Sequence, residues 1–168
     1  MRFFLTGFMG SGKSTMGREL AQLLELSFID LDKKIEERYG RDIPSIFATE
    51  GEKYFRDIEQ QMLNELLESD NYVMACGGGT PCFFDNMDKM NEAGTTIYLK
   101  MSTDALAERL FSTQDQRPML AGKNDTELWM FVHEKLQERE PFYLKAKYKV
   151  KAKDLKSSEL AEFVRLYQ

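Results

Sequence analysis

The sequence predicts an α/β domain built on a parallel sheet, and three observations carry that expectation. Short runs rich in β-forming residues alternate with stretches of helical periodicity, the pattern of strands joined by crossover helices. A Gly-x-x-x-x-Gly-Lys-Ser loop, Gly7 to Ser14, leaves the first of those runs and opens the first of those helices. At 168 residues the chain has room for one domain with a proper core and too little for two ordinary ones. Neither a repeat nor a linker divides residues 1–168, so a single domain is expected.

Arg2 to Thr6 reads as the first strand. Met16, Leu20, Leu23 and Leu24 follow at helical spacing and predict a helix from about Lys13 to Leu24. Ser27 to Asp30 is a second short strand, with a helix beginning near Asp32. Phe55, Ile58, Met62 and Leu66 mark a long helix from about Glu52 to Leu67. Tyr72 to Cys76 and Thr95 to Leu99 read as the third and fourth strands. Ala105, Leu106 and Leu110 predict a helix capped by Ser102 or Thr103. Ser112 to Asp125 is polar and aperiodic, a length of loop that is usually functional or disordered. A helix follows from about Thr126, and Pro141 biases Glu140 away from helical geometry, so it is expected to end near Arg139. From Lys145 to Lys153 lysine alternates with Ala, Tyr, Val and Ala, the pattern of an edge strand guarded against pairing with other chains. Leu160, Val164 and Tyr167 fit a closing helix capped by Ser157 or Ser158.

Composition narrows the function. Residues are 42% hydrophobic and 30% charged, which is globular, not disordered. No apolar run approaches the roughly eighteen residues of a membrane span, and Thr6-Gly7 cuts the apolar start far short of a signal-peptide core. A cytoplasmic location is expected. The net charge of −5 argues against nucleic acid or an anionic membrane as the main partner. Two cysteines, Cys76 and Cys82, form neither a disulfide scaffold nor a metal-ligand set. With His133 the only histidine, a His-based triad or metal site is excluded in practice.

The chemistry concentrates in a few places. In the Gly7–Ser14 loop, glycines let successive backbone N–H groups converge on phosphate oxygens, and the helix N-terminus adds its positive dipole. Lys13 is placed to reach the β- and γ-phosphates of a nucleoside triphosphate, and the Ser14 hydroxyl to take one Mg²⁺ position. Asp30 and Asp32, two apart in an extended segment, project to one side near the carboxyl ends of the strands, where they suit a hydrated metal and a hydroxyl nucleophile. Asp32 reads equally well as a helix cap. Arg56 and Glu59 share one helix face, a spacing that also describes an ordinary surface ion pair. Gly77-Gly78-Gly79 points to close backbone approach, since a simple strand-to-helix turn rarely needs three glycines. Arg117 and Arg139, each plain surface when taken singly, join Lys13 and Arg56 as cations suited to anionic groups in an acidic protein.

Together these residues resemble the shikimate kinase family from Phe4 to about Tyr148. The resemblance rests on Gly7-Phe-Met-Gly-Ser-Gly-Lys-Ser-Thr15, Phe28-Ile-Asp-Leu-Asp32, the Ile43-Pro-x-Ile-Phe47 turn and Gly51-Glu-x-x-Phe-Arg56-x-x-Glu59. It continues through Gly77-Gly-Gly79, Arg117-Pro-Met-Leu120 and Arg139-x-Pro-x-Tyr143. It implies a three-layer α/β/α phosphate-loop fold with a five-stranded parallel sheet in the order 2-3-1-4-5. The implied reaction is ATP-dependent phosphorylation of the shikimate 3-hydroxyl in chorismate biosynthesis. On this resemblance Gly10, Ser11, Gly12, Lys13, Ser14 and Thr15 hold the ATP phosphates. Ser14 binds Mg²⁺, with Asp30 meeting it through water. Asp32, Arg56, Gly78 and Arg139 contact shikimate, and Arg117 belongs to a lid at about 112–125. Lys13, Asp32 and Arg117 are the expected catalytic residues, in a chain expected to act as a monomer.

Departures are few. Met119 stands where leucine is usual. Leu110, with Arg109 beside it, stands seven residues before Arg117, where many members place an adenine-stacking arginine, and the loop around Asp154 to Lys156 has no arginine. A kinase for gluconate or a nucleoside monophosphate shares the fold and loop but does not predict Phe55-Arg56-x-x-Glu59 with the triple glycine. A nucleotide-binding switch leaves that glycine run and Arg139 without a purpose.

Overall fold

A computed structural model describes residues 1–114, 117 and 119–167. Strands β1 (Arg2–Thr6), β2 (Ser27–Asp30), β3 (Tyr72–Ala75), β4 (Thr95–Lys100) and β5 (Tyr148–Lys151) form one sheet in the order β2-β3-β1-β4-β5. Every pairing is parallel, with Leu5 opposite Ala75 on one side and Ile97 on the other. Interior β3 is buried at every position, as a strand covered on both faces must be, whereas β5 alternates half-buried with exposed residues. An edge strand lies where expected but is shorter, taking in only Lys149 and Lys151 of the lysine row that runs from Lys145 to Lys153.

Helices cover both faces of the sheet. They are α1 (Lys13–Leu23), α2 (Leu31–Tyr39), α3 (Ile43–Glu50), α4 (Glu52–Leu66), α5 (Asn86–Ala93), α6 (Thr103–Phe111), α7 (Asp125–Tyr143) and α8 (Ser157–Leu166). A short 3₁₀ turn, Thr80–Cys82, follows the triple glycine. One core, built on Phe3, Phe4, Leu5, Leu20, Val73, Met74, Ile97 and Leu106, joins the layers. No helix among the described residues is long and apolar enough to cross a membrane.

The structure corrects several boundaries. Helix α7 does not stop near Arg139 but runs through Pro141 to Tyr143. Proline removes one N–H donor, yet the next turn closes through Leu144 N–H to the Glu140 carbonyl (2.9 Å), and buried Tyr143 anchors the end. Ile43–Phe47 is no turn but the start of α3. Asp42 caps it by accepting from Ser45 N–H at 2.7 Å, and Pro44 sits in the first helical turn, where it is well tolerated. Helix α5, unannounced by any long periodicity, buries Met87 and Met90. Helix α2 starts at Leu31 with Asp30 as its cap, so Asp32 is not part of an extended segment. Neither serine caps α8, because Ser157 is already its first helical residue. The Glu159 carboxylate instead accepts from Lys156 N–H at 2.9 Å.

Candidate active site

Beyond the carboxyl ends of the strands, the Gly7–Ser14 loop wraps toward α1. Gly10 (φ 81°) and Gly12 (φ 89°) hold left-handed backbone, and a Cβ on Gly10 would stand 3.0 Å from the buried Leu110 side chain. Gly12 is the N-cap of α1 and supplies no side-chain cap, and the first turn carries no acidic residue. The positive end of the helix is therefore left to an external anion. The Lys13 ammonium donates to the Gly7 carbonyl (2.8 Å) and the Phe8 carbonyl (2.9 Å) of its own loop. Burial lowers its pKa to about 8, with Asp32 opposing that shift and Arg139 and Arg117 adding to it. Beside it the Ser14 hydroxyl donates to Asp30 at 2.9 Å.

Asp30 and Asp32 reach the site by a different route from the one expected, through the junction of β2 with α2. Asp30 accepts from Lys33 N–H at 3.2 Å as the cap, while Asp32 lies in the first helical turn. Burial raises the Asp32 pKa to about 6, reinforced by the carboxylates of Glu59 and Asp30 and opposed by Lys13.

The Arg56–Glu59 pair is not a surface ion pair. Its side chains are 8% and 1% exposed, with 2.9 Å between Arg56 Nη1 and a Glu59 oxygen. The other Glu59 oxygen accepts from the Thr80 hydroxyl at 2.8 Å. Burial pushes the Glu59 carboxyl upward against the pull of Arg56 and Thr80. Phe83 covers the Arg56 guanidinium at 4.1 Å, with Phe55 at 5.1 Å, a cation–π arrangement that orders the charged head while keeping water off its face.

The triple glycine is explained residue by residue. A Cβ on Gly77 would stand 3.0 Å from Asp32 Oδ1 and 3.2 Å from Glu59 Oε2, one on Gly78 3.1 Å from Arg139 Nη1, and one on Gly79 2.7 Å from Arg56 Nη1. Each glycine makes room for a different charged side chain. Arg139 also lies over the Phe8 ring of the phosphate loop at 5.7 Å. The structure thus gathers Asp32, Arg56 and Arg139 around the triple glycine and brings Asp32, Arg139 and Arg117 within electrostatic reach of Lys13.

Arg117 sits in a chain of turns, its N–H bonded to the Gln114 carbonyl (3.0 Å) and its carbonyl accepting from Leu120 N–H (2.9 Å). Buried Leu120 pins that segment to the core. The rest of the expected lid includes Asp115, Gln116 and Pro118, which lie outside the described residues. Leu110 is core packing, whereas exposed Arg109 bonds the carbonyls of Gly10 and Lys153, each at 3.3 Å. Sequence reasoning missed the parts played by Thr80, Phe83 and Tyr143. Tyr143 stood in the Arg139-x-Pro-x-Tyr143 motif without a role of its own, and Thr80 and Phe83 were marked only by lying within four residues of the glycine run.

A phosphate loop between β1 and α1 of a parallel 2-3-1-4-5 sheet places the chain in the P-loop nucleoside triphosphatase class. The shikimate kinase family pattern matches residues 9–166. A shikimate kinase of Parabacteroides distasonis is 52% identical over 145 residues, 86% of this chain and 84% of that protein. The crystal structure of shikimate kinase from Bacteroides thetaiotaomicron superposes with a TM-score of 0.94 at 42% identity, covering 99% of this chain and 97% of that one. Shikimate kinase from Acinetobacter baumannii, solved in complex with shikimate, gives a TM-score of 0.85 at 33% identity, covering 99% and 91%. The chain belongs to the shikimate kinase family.

Proposed function

We propose that this chain transfers the γ-phosphoryl group of ATP to the 3-hydroxyl of shikimate, acting as a monomer in the cytoplasm. The observation that carries the reading is the pair of arginines, Arg56 and Arg139, packed at Gly79 and Gly78, with half-buried Asp32 at neighbouring Gly77. Shikimate offers one carboxylate and several hydroxyls, so its site needs cations at one end and a carboxylate at the other. Arg56, Arg139 and Gly78 take the carboxylate end, and Asp32 faces the reacting hydroxyl.

Gly10 to Thr15 receive the ATP phosphates, and Lys13 exchanges its two loop carbonyls for phosphate oxygens. The Ser14–Asp30 pair fits a hydrated Mg²⁺ held through few protein atoms, the usual style for that ion. When bound, the ion supplies charge neutralisation across the phosphates. Phosphoryl transfer passes through a loose transition state with charge on the phosphoryl oxygens, so positioning and electrostatics dominate. Asp32 chiefly orients the 3-hydroxyl and receives its proton as that oxygen bonds to phosphorus and the bond to the ADP oxygen breaks. Arg117, on the segment closing over the nucleotide, adds charge at the phosphates and helps exclude water.

The test is a coupled ADP-release assay with shikimate, gluconate, nucleoside monophosphates or no acceptor. Release with shikimate at least about a hundred-fold above every other arm is expected, since a site built to pair polar groups strongly rejects ligands that leave them unpaired. Equal release with all acceptors, or preference for another, overturns the reading.

A further inference from the structure

Tyr143 has no part in the roles above, yet it is wholly buried at the end of α7, four residues beyond Arg139. Residues so spaced share a helix face, and both project toward the triple glycine. The Tyr143 hydroxyl donates a short hydrogen bond to the Gly78 carbonyl. The Arg139 guanidinium lies near enough to the phenol to act on it electrostatically, and its Nη1 stands 3.1 Å from where a Gly78 Cβ would be. Tyr143 and Arg139, one helical turn apart, thus both bear on Gly78. Tyr98 of β4 supports the phenol ring, with centroids 5.1 Å apart. Burial keeps the phenol protonated far above neutral pH, so it remains a donor.

Three successive glycines have more backbone freedom than any other tripeptide and no side chain with which to lock themselves. The Gly78 carbonyl and the Gly79 N–H belong to one planar peptide unit, so an anchor on the first also aims the second. We propose that Tyr143 is a positioning residue for the acceptor, fixing the Gly78 peptide and the Arg139 guanidinium relative to each other and so pre-forming the carboxylate end of the site. The same anchor accounts for the helical turn that continues past Pro141. The inference rests on assigning that end of the cleft to shikimate.

Tyr143→Phe removes one oxygen and keeps the ring, so packing survives. Titration calorimetry with shikimate and with ADP, and steady-state kinetics, are run on wild type, Tyr143→Phe, Arg139→Lys and the double variant. Shikimate Kd and KM are expected to rise roughly ten-fold in Tyr143→Phe, with ADP Kd and kcat within about two-fold, as suits loss of one buried hydrogen bond that orders a binding group. In the Arg139→Lys background the same change is expected to cost clearly less, the sign of two groups acting as one unit. A purely structural role would not produce that split or that coupling. Unchanged shikimate affinity, a loss shared equally with ADP, or full additivity overturns the inference. Wild type that binds ADP but not shikimate contradicts the substrate assignment itself, and the inference falls with it.

Discussion

Lys13 and Asp32 lie within electrostatic reach of each other with pKa values drawn toward neutrality, about 8 and about 6, and burial is the largest cause for both. Lys13→Met keeps the loop's glycines and therefore the fold, but removes the charge proposed to meet the phosphoryl group. Its turnover is expected to fall by at least about a hundred-fold, the usual cost of losing one preorganised transition-state contact. Activity within threefold of wild type would refute the phosphate-loop assignment. Asp32 makes a prediction with a definite sign. Its folded pKa lies above the unfolded value of about 3.9, so the native state holds the extra proton between those two pH values. Stability from this group is full below about pH 4 and is lost as pH rises through about 6. Asp32→Asn is therefore expected to be more stable than wild type at pH 7, by about 1–3 kcal/mol, and no more stable at pH 4. Thermal unfolding at the two pH values checks this, and a destabilised Asp32→Asn at pH 7 would contradict it. The same titration predicts that kcat/KM for shikimate falls about ten-fold per unit below pH 6.

Among the elements, the interior strands were the most legible in the sequence, because parallel strands buried on both faces read as short unbroken apolar runs. Arg2–Thr6 and Ser27–Asp30 match their expected limits, and β3 and β4 differ by one residue. The misses were short helices and a proline. Helices α3 and α5 have eight residues each, too few to show a period, and depend on a cap and on packing for their form. Pro141 obeyed a tertiary anchor over its local preference. In the site, phosphate-loop and glycine signals survived as contiguous motifs, whereas the burial of the Arg56–Glu59 pair depends on Thr80, Phe83 and the glycines arriving from another element. The 112–125 segment carries the element-scale prediction. Amide exchange across it is expected to slow when ADP is added, as befits a lid over the nucleotide. Unchanged exchange at saturating ADP would count against closure.

For the molecule as a whole, the proposed function assigns two binding tasks to different elements of the fold. In the proposed assignment the nucleotide end hangs on β1 and α1, and the acceptor end on α2, α4, the triple glycine and α7. Truncating one member of a desolvated charge pair typically costs about 2–5 kcal/mol, roughly thirty-fold to several thousand-fold in affinity. Arg117→Ala is expected to weaken ADP binding and slow turnover while shikimate binding nearly survives, whereas Arg56→Ala and Arg139→Ala reverse that pattern. The most direct measurement is calorimetric titration of Arg139→Ala with shikimate and with ADP separately, beside wild type. The account predicts a loss of at least about thirty-fold for shikimate with ADP affinity nearly unchanged. Equal losses for the two ligands, or shikimate affinity left intact, would contradict it.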